Sequence, residues 1–497
     1  MALSSSTSSQ SQPRIFVDDV WHLITENFSQ PSLSSSPEGS PDEAAEYWKP
    51  KSLAALTPHL SDLISLSSTC TYFRDLLGPR IFKSIYLQNT AKSARSVQAV
   101  ATGKFSGYVR ELRYAAAYNI DSSLEELYPP GLDNVLSSLS CFRGLQLLSL
   151  DFPFDHSNIQ LLRCVHNQDN GPDASTVQKR EDTWRGLVSA GFGAITSSYT
   201  NDNAPQFPCL EIHNLNPIAL PAITTTPFHS LLSRLKSLKL TLEPLHYLSL
   251  HKVITPQSAS ISLNNFGPWL FNHLSSLEEL SFNPSNSAPR MGNVGQNPAY
   301  VQDIGLGNAT MPSLKRITLA NIFICAELTA FLQRHSISLE RIALLFCRAH
   351  NPDSDNTSDP GSGVDNGDAS DDNSNTWSTL FKSLSSAAPS VLETFTFTTS
   401  QDELVLWSPD DDWVDSDLVK AMYRKRKAEP DMLLFPYYEI WDGGRVTRDM
   451  EANIRSFLDG DDYRAFLGLT GVLKGNGTGE WDRKGFGMWK YIPVSER

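Results

Sequence analysis

The chain has 497 residues, 40% of them hydrophobic and 19% charged, which is ordinary for a soluble globular protein and long enough for about three domains, or for one repeat array beside a small module. A formal net charge of −14 at pH 7 argues against nucleic acid or an anionic membrane as the main partner, because both are bound through surplus Lys and Arg. The six cysteines form no C-x-x-C pair and most lie in apolar runs, so they read as buried, reduced thiols. With no signal-length apolar core at the start and no run of about 18 apolar residues, the expectation is a cytoplasmic or nuclear protein with no membrane span.

In chain order, residues 1–13 are rich in Ser and Gln and are expected to be disordered. In Ile15–Phe28, Asp18 or Asp19 can cap a helix whose Val20, Leu23, Ile24 and Phe28 share one face. Residues 29–55 hold SLSSSPEGSPDEAAE, also expected to be disordered, with Ser36-Pro37 and Ser40-Pro41 as candidate phosphorylation sites. From Leu60 onward, Leu60, Leu63, Ile64, Ser67, Cys70 and Phe73 recur at three- and four-residue steps. That spacing predicts one helix, with Thr57 as N-cap, Pro58 at the first helical position and Gly78-Pro79 as the stop. Two such short amphipathic helices bury too little apolar surface to stand alone, so they need each other and a partner.

The segments DDVWHLITENF, DLISLSSTCTYFRDLL and PRIFKSIYL resemble an F-box, the helical adaptor-binding module of substrate receptors in Skp–cullin–F-box ubiquitin ligases. The resemblance covers residues 14–87 and implies that Val20, Trp21, Leu23, Ile24, Leu63, Leu66, Cys70 and Phe73 face a Skp-type adaptor, which joins a cullin scaffold. Phe16-Val17 stands where the family has Leu-Pro, and the insertion at 29–55 separates the helices. Closing a longer loop costs only about 0.6 kcal/mol per doubling of length, so the fold tolerates the insertion.

Across residues 105–400 the pattern L-x-x-L-x-L keeps returning: Leu145 to Leu150, Leu235 to Leu240, Leu277 to Phe282, Leu314 to Leu319, Leu339 to Leu344 and Leu392 to Phe397. Its last four residues alternate like a strand. Short helix-like segments precede the copies, at Val135 to Leu139, Phe228 to Leu232, Trp269 to Leu274, Leu328 to Leu332 and Trp377 to Leu384. This resembles leucine-rich repeats and predicts an α/β fold in which the F-box is followed by an irregular αβ solenoid with a mostly parallel sheet and disordered insertions. Copies are spaced from 25 residues (Ile317 to Ile342) to 90 (Leu148 to Leu238), and only Cys347 clearly matches the Asn or Cys that usually follows the motif. The competing reading is one α/β domain with coincidental Leu spacing. Residues 284–312 and 351–376 stand out as insertions. The second is acidic with no Lys or Arg, is expected to be disordered, and has no calcium-loop register.

From 401 to 497 aromatics concentrate, with Trp407, Trp413, Phe435, Tyr437, Tyr438, Trp441, Trp481, Trp489 and Tyr491. Strands are expected at Met432–Trp441 and Phe486–Val494 and a helix at Arg445–Leu458, as a cap on the repeats, a binding surface, or both. No phosphate loop, H-E-x-x-H or G-x-S-x-G occurs. His156, Cys164 and His166 match no zinc spacing, Gly475, Gly477 and Gly479 read as a turn, and Arg424–Lys427 reads as a solvated helix face or an import signal. The function implied is a non-catalytic receptor, without cofactor, whose repeats bind an as yet unidentified protein target. The alternative is an F-box-containing interaction scaffold acting outside a ligase, with an enzyme assembled from distant loops a third.

Overall fold

A computed structural model describes residues 60–116, 122–152, 174–197, 207–215, 219–242, 265–284, 291–292, 303–350, 376–398, 416–441, 445–476, 480–484 and 488–492. Outside these fall the expected disorder at 1–13 and 29–55, the helix over Ile15–Phe28, the cap at Thr57 and Pro58, most of the 284–312 insertion, and 351–375 of the acidic stretch.

The described residues fall into two units, one ending at Ile81 and the other starting at Phe82. The first holds α1 (Leu60–Ser67) and α2 (Thr71–Ile81). The single helix expected here is therefore two. The hydroxyls of Ser67, Ser68 and Thr69 donate to the carbonyls of Ile64, Ser65 and Leu66, satisfying the end of α1 locally and breaking it. At the other end Pro79 sits inside α2, where it removes one N–H in the last turn and the helix still continues to Ile81.

The second unit runs β1 (Ser84–Gln88), α3 (Ala91–Thr102), β2 (Glu111–Ala115), α4 (Leu124–Leu127), α5 (Leu132–Leu136), β3 (Leu147–Asp151), α6 (Ala174–Ser197) and β4 (Cys209–Leu215). It continues with α7 (Thr226–Leu232), β5 (Ser237–Leu242), α8 (Phe266–Trp269), β6 (Glu279–Asn283), β7 (Arg316–Ala320), α9 (Ala326–Arg334), β8 (Arg341–Leu345) and β9 (Ala349–His350). The last elements are α10 (Trp377–Ser386), β10 (Thr394–Thr398), α11 (Ser416–Ala428), β11 (Tyr437–Trp441), β12 (Arg445–Arg448), α12 (Met450–Asp459), α13 (Asp461–Asn476), β13 (Glu480–Lys484) and β14 (Met488–Ile492). Side-chain caps start several helices: Thr90, Thr225, Thr376 and Asp449 each accept from the N–H three residues on.

The fold is mixed α/β. Nine parallel strands, β1 to β8 and then β10, lie side by side in sequence order, and β14 and β13 extend the sheet antiparallel at the β10 edge. Their register aligns Ile85, Leu112, Leu148, Leu210, Leu238, Leu280, Ile317, Ile342 and Phe395 in one row. Two residues on, Leu87, Tyr114, Leu150, Ile212, Leu240, Phe282, Leu319, Leu344 and Phe397 form a second. Both rows share one core with helix residues such as Val135, Phe228, Leu231, Phe331, Leu332 and Phe381. Each fully buried side chain of this size contributes roughly 1.5–3 kcal/mol.

All six expected strands are present. The 90-residue gap is divided by β4, whose Leu210 stands between Leu148 and Leu238. The sheet also starts upstream of residue 105, because β1 pairs with β2. The later part of the 284–312 stretch is packed: Ile304, Leu306, Ala309 and Met311 are all buried. Glu327 of α9 holds it, accepting from the N–H groups of Ile304 and Gly307 at 2.7 Å each.

Toward the C-terminus β12 occupies the start of the helix expected at Arg445–Leu458, which begins only after the Asp449 cap. Asp462 ties this region to α10. Its carboxylate accepts from Ser378 N–H at 2.7 Å, from the Tyr437 hydroxyl at 2.9 Å and from the Ser456 hydroxyl. Burial raises both the Asp462 carboxyl and, strongly, the Tyr437 phenol above their ordinary values.

Leu240, 0% exposed in the second apolar row, tests the stacking. Leu240→Ala is expected to cost about 2–5 kcal/mol in urea unfolding, whereas Lys236→Ala on the exposed strand edge costs under about 1 kcal/mol.

Candidate functional site

The segment from α1 to α2 carries four of the eight residues that the F-box resemblance assigns to an adaptor. Leu63 and Leu66 lie three residues apart on α1, Cys70 lies in the break and Phe73 in the first turn of α2. Leu63, Leu66 and Phe73 are half-buried, Cys70 is exposed, and Ile64 and Tyr72 are 48% and 43% exposed. No residue of α1 is buried; in α2 Leu77 and Gly78 are. The Tyr72 and Phe73 rings stand edge to face at 5.5 Å. Val20, Trp21, Leu23 and Ile24 lie outside the described residues. Cys70 and Phe73 do not continue a single stripe from α1, since the chain turns between them.

The second candidate is the sheet face opposite the two apolar rows, where residues alternate with the leucines. Arg113 of β2, 4% exposed, pairs through Nη2 with Glu111 at 3.3 Å and through Nη1 with Glu211 of β4 at 3.3 Å, and also donates to Ser149 Oγ of β3 at 3.4 Å. His213, also buried, places Nε2 3.3 Å from the same Glu211 oxygen. Burial works against the charged form of Glu211. The His213 hydrogen bond and field, with Lys239 and Arg113, nevertheless hold its carboxyl well below the usual carboxylate range. Burial pushes the Tyr86 phenol of β1 up, with the charge of Asp151 adding to it and Arg113 opposing.

Chemically this cluster is an ion-pair network. The Ser149 hydroxyl accepts from a guanidinium rather than facing a base, and the His213 nitrogen nearest a charge points at Glu211, so no nucleophile–base pair forms here. The pattern that marks it in the sequence is two polar residues two apart within an apolar strand, Glu111-x-Arg113 and Glu211-x-His213. At the N-terminal ends of later strands, exposed cross-strand pairs run Lys236–Glu278 at 2.9 Å, Arg316–Glu279 at 3.1 Å and Lys315–Glu340 at 3.9 Å. Such pairs favour the observed register but are individually weak.

Cys325 and Cys347 are buried and their thiols are pushed up to about 12, whereas Cys70 and Cys141 are exposed, against the expectation of mostly buried thiols. Cys347, the one residue matching the position after the repeat motif, donates from Sγ to the Leu319 and Leu345 carbonyls at 3.7 Å, one on the neighbouring strand. Among the described residues no group of three His, Cys, Asp or Glu could hold a metal ion, and no helix is long and apolar enough to cross a membrane. Arg424–Lys427 closes α11, with the Lys425 ammonium donating to the Leu458 carbonyl at the end of α12. No family model matches this chain, and no curated protein matches it.

Removing one member of a buried charge network leaves the others unpaired, so Arg113→Met is expected to cost about 3–5 kcal/mol. The folded Glu211 carboxyl lies below its unfolded value, so its contribution is full above about pH 4.5 and lost as pH falls through the folded value. Acid titration of unfolding should therefore be flatter below about pH 4.5 in Glu211→Gln than in wild type; identical slopes would show that Glu211 is not the source.

Proposed function

We propose that the protein is a non-catalytic substrate receptor of a Skp–cullin–F-box type ubiquitin ligase, in which the α1–α2 module docks on the adaptor and the strand array presents a protein target. The observation that carries the reading is α1 itself: an eight-residue helix with Leu60, Leu63, Ile64 and Leu66 and no buried residue. An isolated helix of that length is marginal in water, so its apolar side calls for a covering partner. Strands repeating in sequence order with helices between them support an irregular, leucine-rich-repeat-like solenoid. Such repeats offer a long surface on which a target is held. The chemistry belongs to a conjugating enzyme brought near the target, where proximity turns a bimolecular encounter into an effectively intramolecular one. A reducing cytoplasmic or nuclear setting fits the free cysteines.

A second reading, an interaction scaffold outside any ligase, is favoured by Phe16-Val17 in place of Leu-Pro and by the long insertion before α1. Purified complexes containing adaptor without cullin, or neither, would select it.

Each fully buried leucine is worth roughly 1.5–3 kcal/mol, so Leu63→Asp with Leu66→Asp should lower adaptor capture by about 100-fold or more while the sheet's unfolding transition is unchanged. Undiminished capture by the double variant overturns the adaptor assignment.

A further inference from the structure

The first repeat of the second unit is cationic: residues 82–110 hold five Lys or Arg and no Asp or Glu, in a chain of net charge −14. Among the described residues Lys83, Lys92, Arg95 and Arg110 pair with no carboxylate. The next acidic residue, Glu111, is spent on Arg113 in the buried network. A local field of this sign runs against the charge of the chain as a whole and draws anions.

Two of these cations meet where β1 and β2 begin. Arg110 N–H donates to the Lys83 carbonyl at 2.8 Å, so the two residues stand side by side at the strand ends. The Arg110 guanidinium is held before any partner arrives. Its Nη1 donates to the Gly107 carbonyl at 2.8 Å and to the Val109 carbonyl at 3.3 Å, over Gly144, where a Cβ would stand 1.4 Å from that nitrogen. Nε and Nη2 form the edge of the fork that grips a carboxylate through two parallel hydrogen bonds. Neither has a partner among the described residues, and neither is fully buried. An aromatic group lies beside the fork, on and after the short turn Ser106–Tyr108 that Nη1 is tied to. Phe105 stacks on Phe82 with centroids 4.5 Å apart, carries the Lys104 ammonium 5.0 Å over its ring and meets Tyr108 at 6.2 Å. Phe82 and Phe105 are half-buried and Tyr108 is 38% exposed. Tyr and Arg set together in this way are the residues that dominate interface hot spots.

We propose that the rim made by Phe82, Lys83, Phe105, Tyr108 and Arg110 docks a short acidic segment of a partner protein. One Asp or Glu carboxylate sits on the Arg110 fork, a second lies near Lys83, and an apolar side chain covers the Tyr108 and Phe105 rings. The charge of the site selects this occupant. A long polyanion such as nucleic acid gains from the few cations of the rim and is then repelled by the net charge of −14, whereas a short acidic segment with an apolar residue matches both the cations and the rings. The contact goes beyond the receptor reading and does not depend on whether α1 and α2 dock on an adaptor.

Fluorescence anisotropy with the full chain tests the rim, using a fluorescein-labelled peptide of about ten residues, all Glu but for one central Leu. At about 0.15 M salt, screening confines the effect of each charge to about 8 Å. Arg110→Ala and Lys83→Glu are each expected to weaken binding at least about fivefold. Lys92→Ala with Arg95→Ala, near the far end of an α3 about 18 Å long, should leave it within about twofold. The Lys83 side chain makes no hydrogen bond in the fold, so its variant reads binding even where Arg110→Ala loosens the turn. An all-Glu peptide should bind wild type at least about threefold more weakly, a difference that Tyr108→Ala erases. No binding to wild type, equal weakening by the α3 pair, or a leucine without effect overturns the proposal. So does a thymidine oligonucleotide of the same length that binds as tightly as the peptide, which makes nucleic acid the occupant. A wild-type dimer that Lys83→Glu dissociates overturns it too, since a second copy then fills the rim.

Discussion

Register between neighbouring parallel strands is the constraint on which the rest of this structure depends. Because side chains alternate strictly along a strand, a one-residue slip at any pair would carry its leucines to the opposite face and drive the polar residues between them into the core. A slip at β2 would set Arg113 in the apolar row beside Leu148 and carry Leu112 to the face that holds Ser149 and Glu211. Apolar stacking on one side thus places the charged groups on the other, and the Arg113 network exists because the leucine rows leave it no other register. The exposed pairs Lys236–Glu278 and Lys315–Glu340 add the same preference at the strand ends at much lower strength.

The repeat pattern was legible wherever leucine led it. All six strands found that way are present, and the helices before them fall close to where short apolar steps placed them. The strands that escaped begin with a different apolar residue: Phe82-Lys-Ser-Ile85-Tyr-Leu87, Val109-Arg-Glu-Leu112-Arg-Tyr114 and Phe207-Pro-Cys-Leu210-Glu-Ile212. Packing requires only that the side chain fill the row, so Phe and Val serve as well as Leu and the literal motif hides them. Helix α6 escaped too, although Trp184, Leu187, Val188, Phe192 and Ile195 keep helical steps and are all buried. Local chemistry decided the differences at α1 and α2. Three hydroxyl side chains ended α1 where apolar spacing alone carried a helix onward, and a proline tolerated in a last turn did not end α2.

Of the candidate site, the residues on α1 and α2 could be named from spacing and resemblance. Their exposure could not, because it depends on what the rest of the chain covers. The buried charge network was harder still: Glu111 and Arg113, or Glu211 and His213, look in the sequence like solvated strand residues, and only the alignment of β2, β3 and β4 brings Ser149 and Glu211 to one guanidinium. Spacing within a strand is a sequence property, whereas adjacency across strands separated by 98 residues is not.

Apolar surface is distributed very unevenly between the two units, and this bears on which part asks for a partner. Helices of the array hide much of their apolar side: α10 buries Trp377, Leu380, Phe381 and Leu384, and α9 buries Leu328, Phe331 and Leu332. Their contribution is already made within the chain. Helix α1 has no fully buried residue, although its leucines recur at the same helical steps. A second polypeptide therefore gains far more by covering α1 than by covering the array, whose exposed strand ends display paired charges that are costly to dehydrate and better suited to orienting an encounter than to anchoring it. On the receptor reading this division has a consequence: the adaptor contact is the hydrophobic, slowly dissociating one, and target capture by the array is polar, salt-dependent and readily reversed.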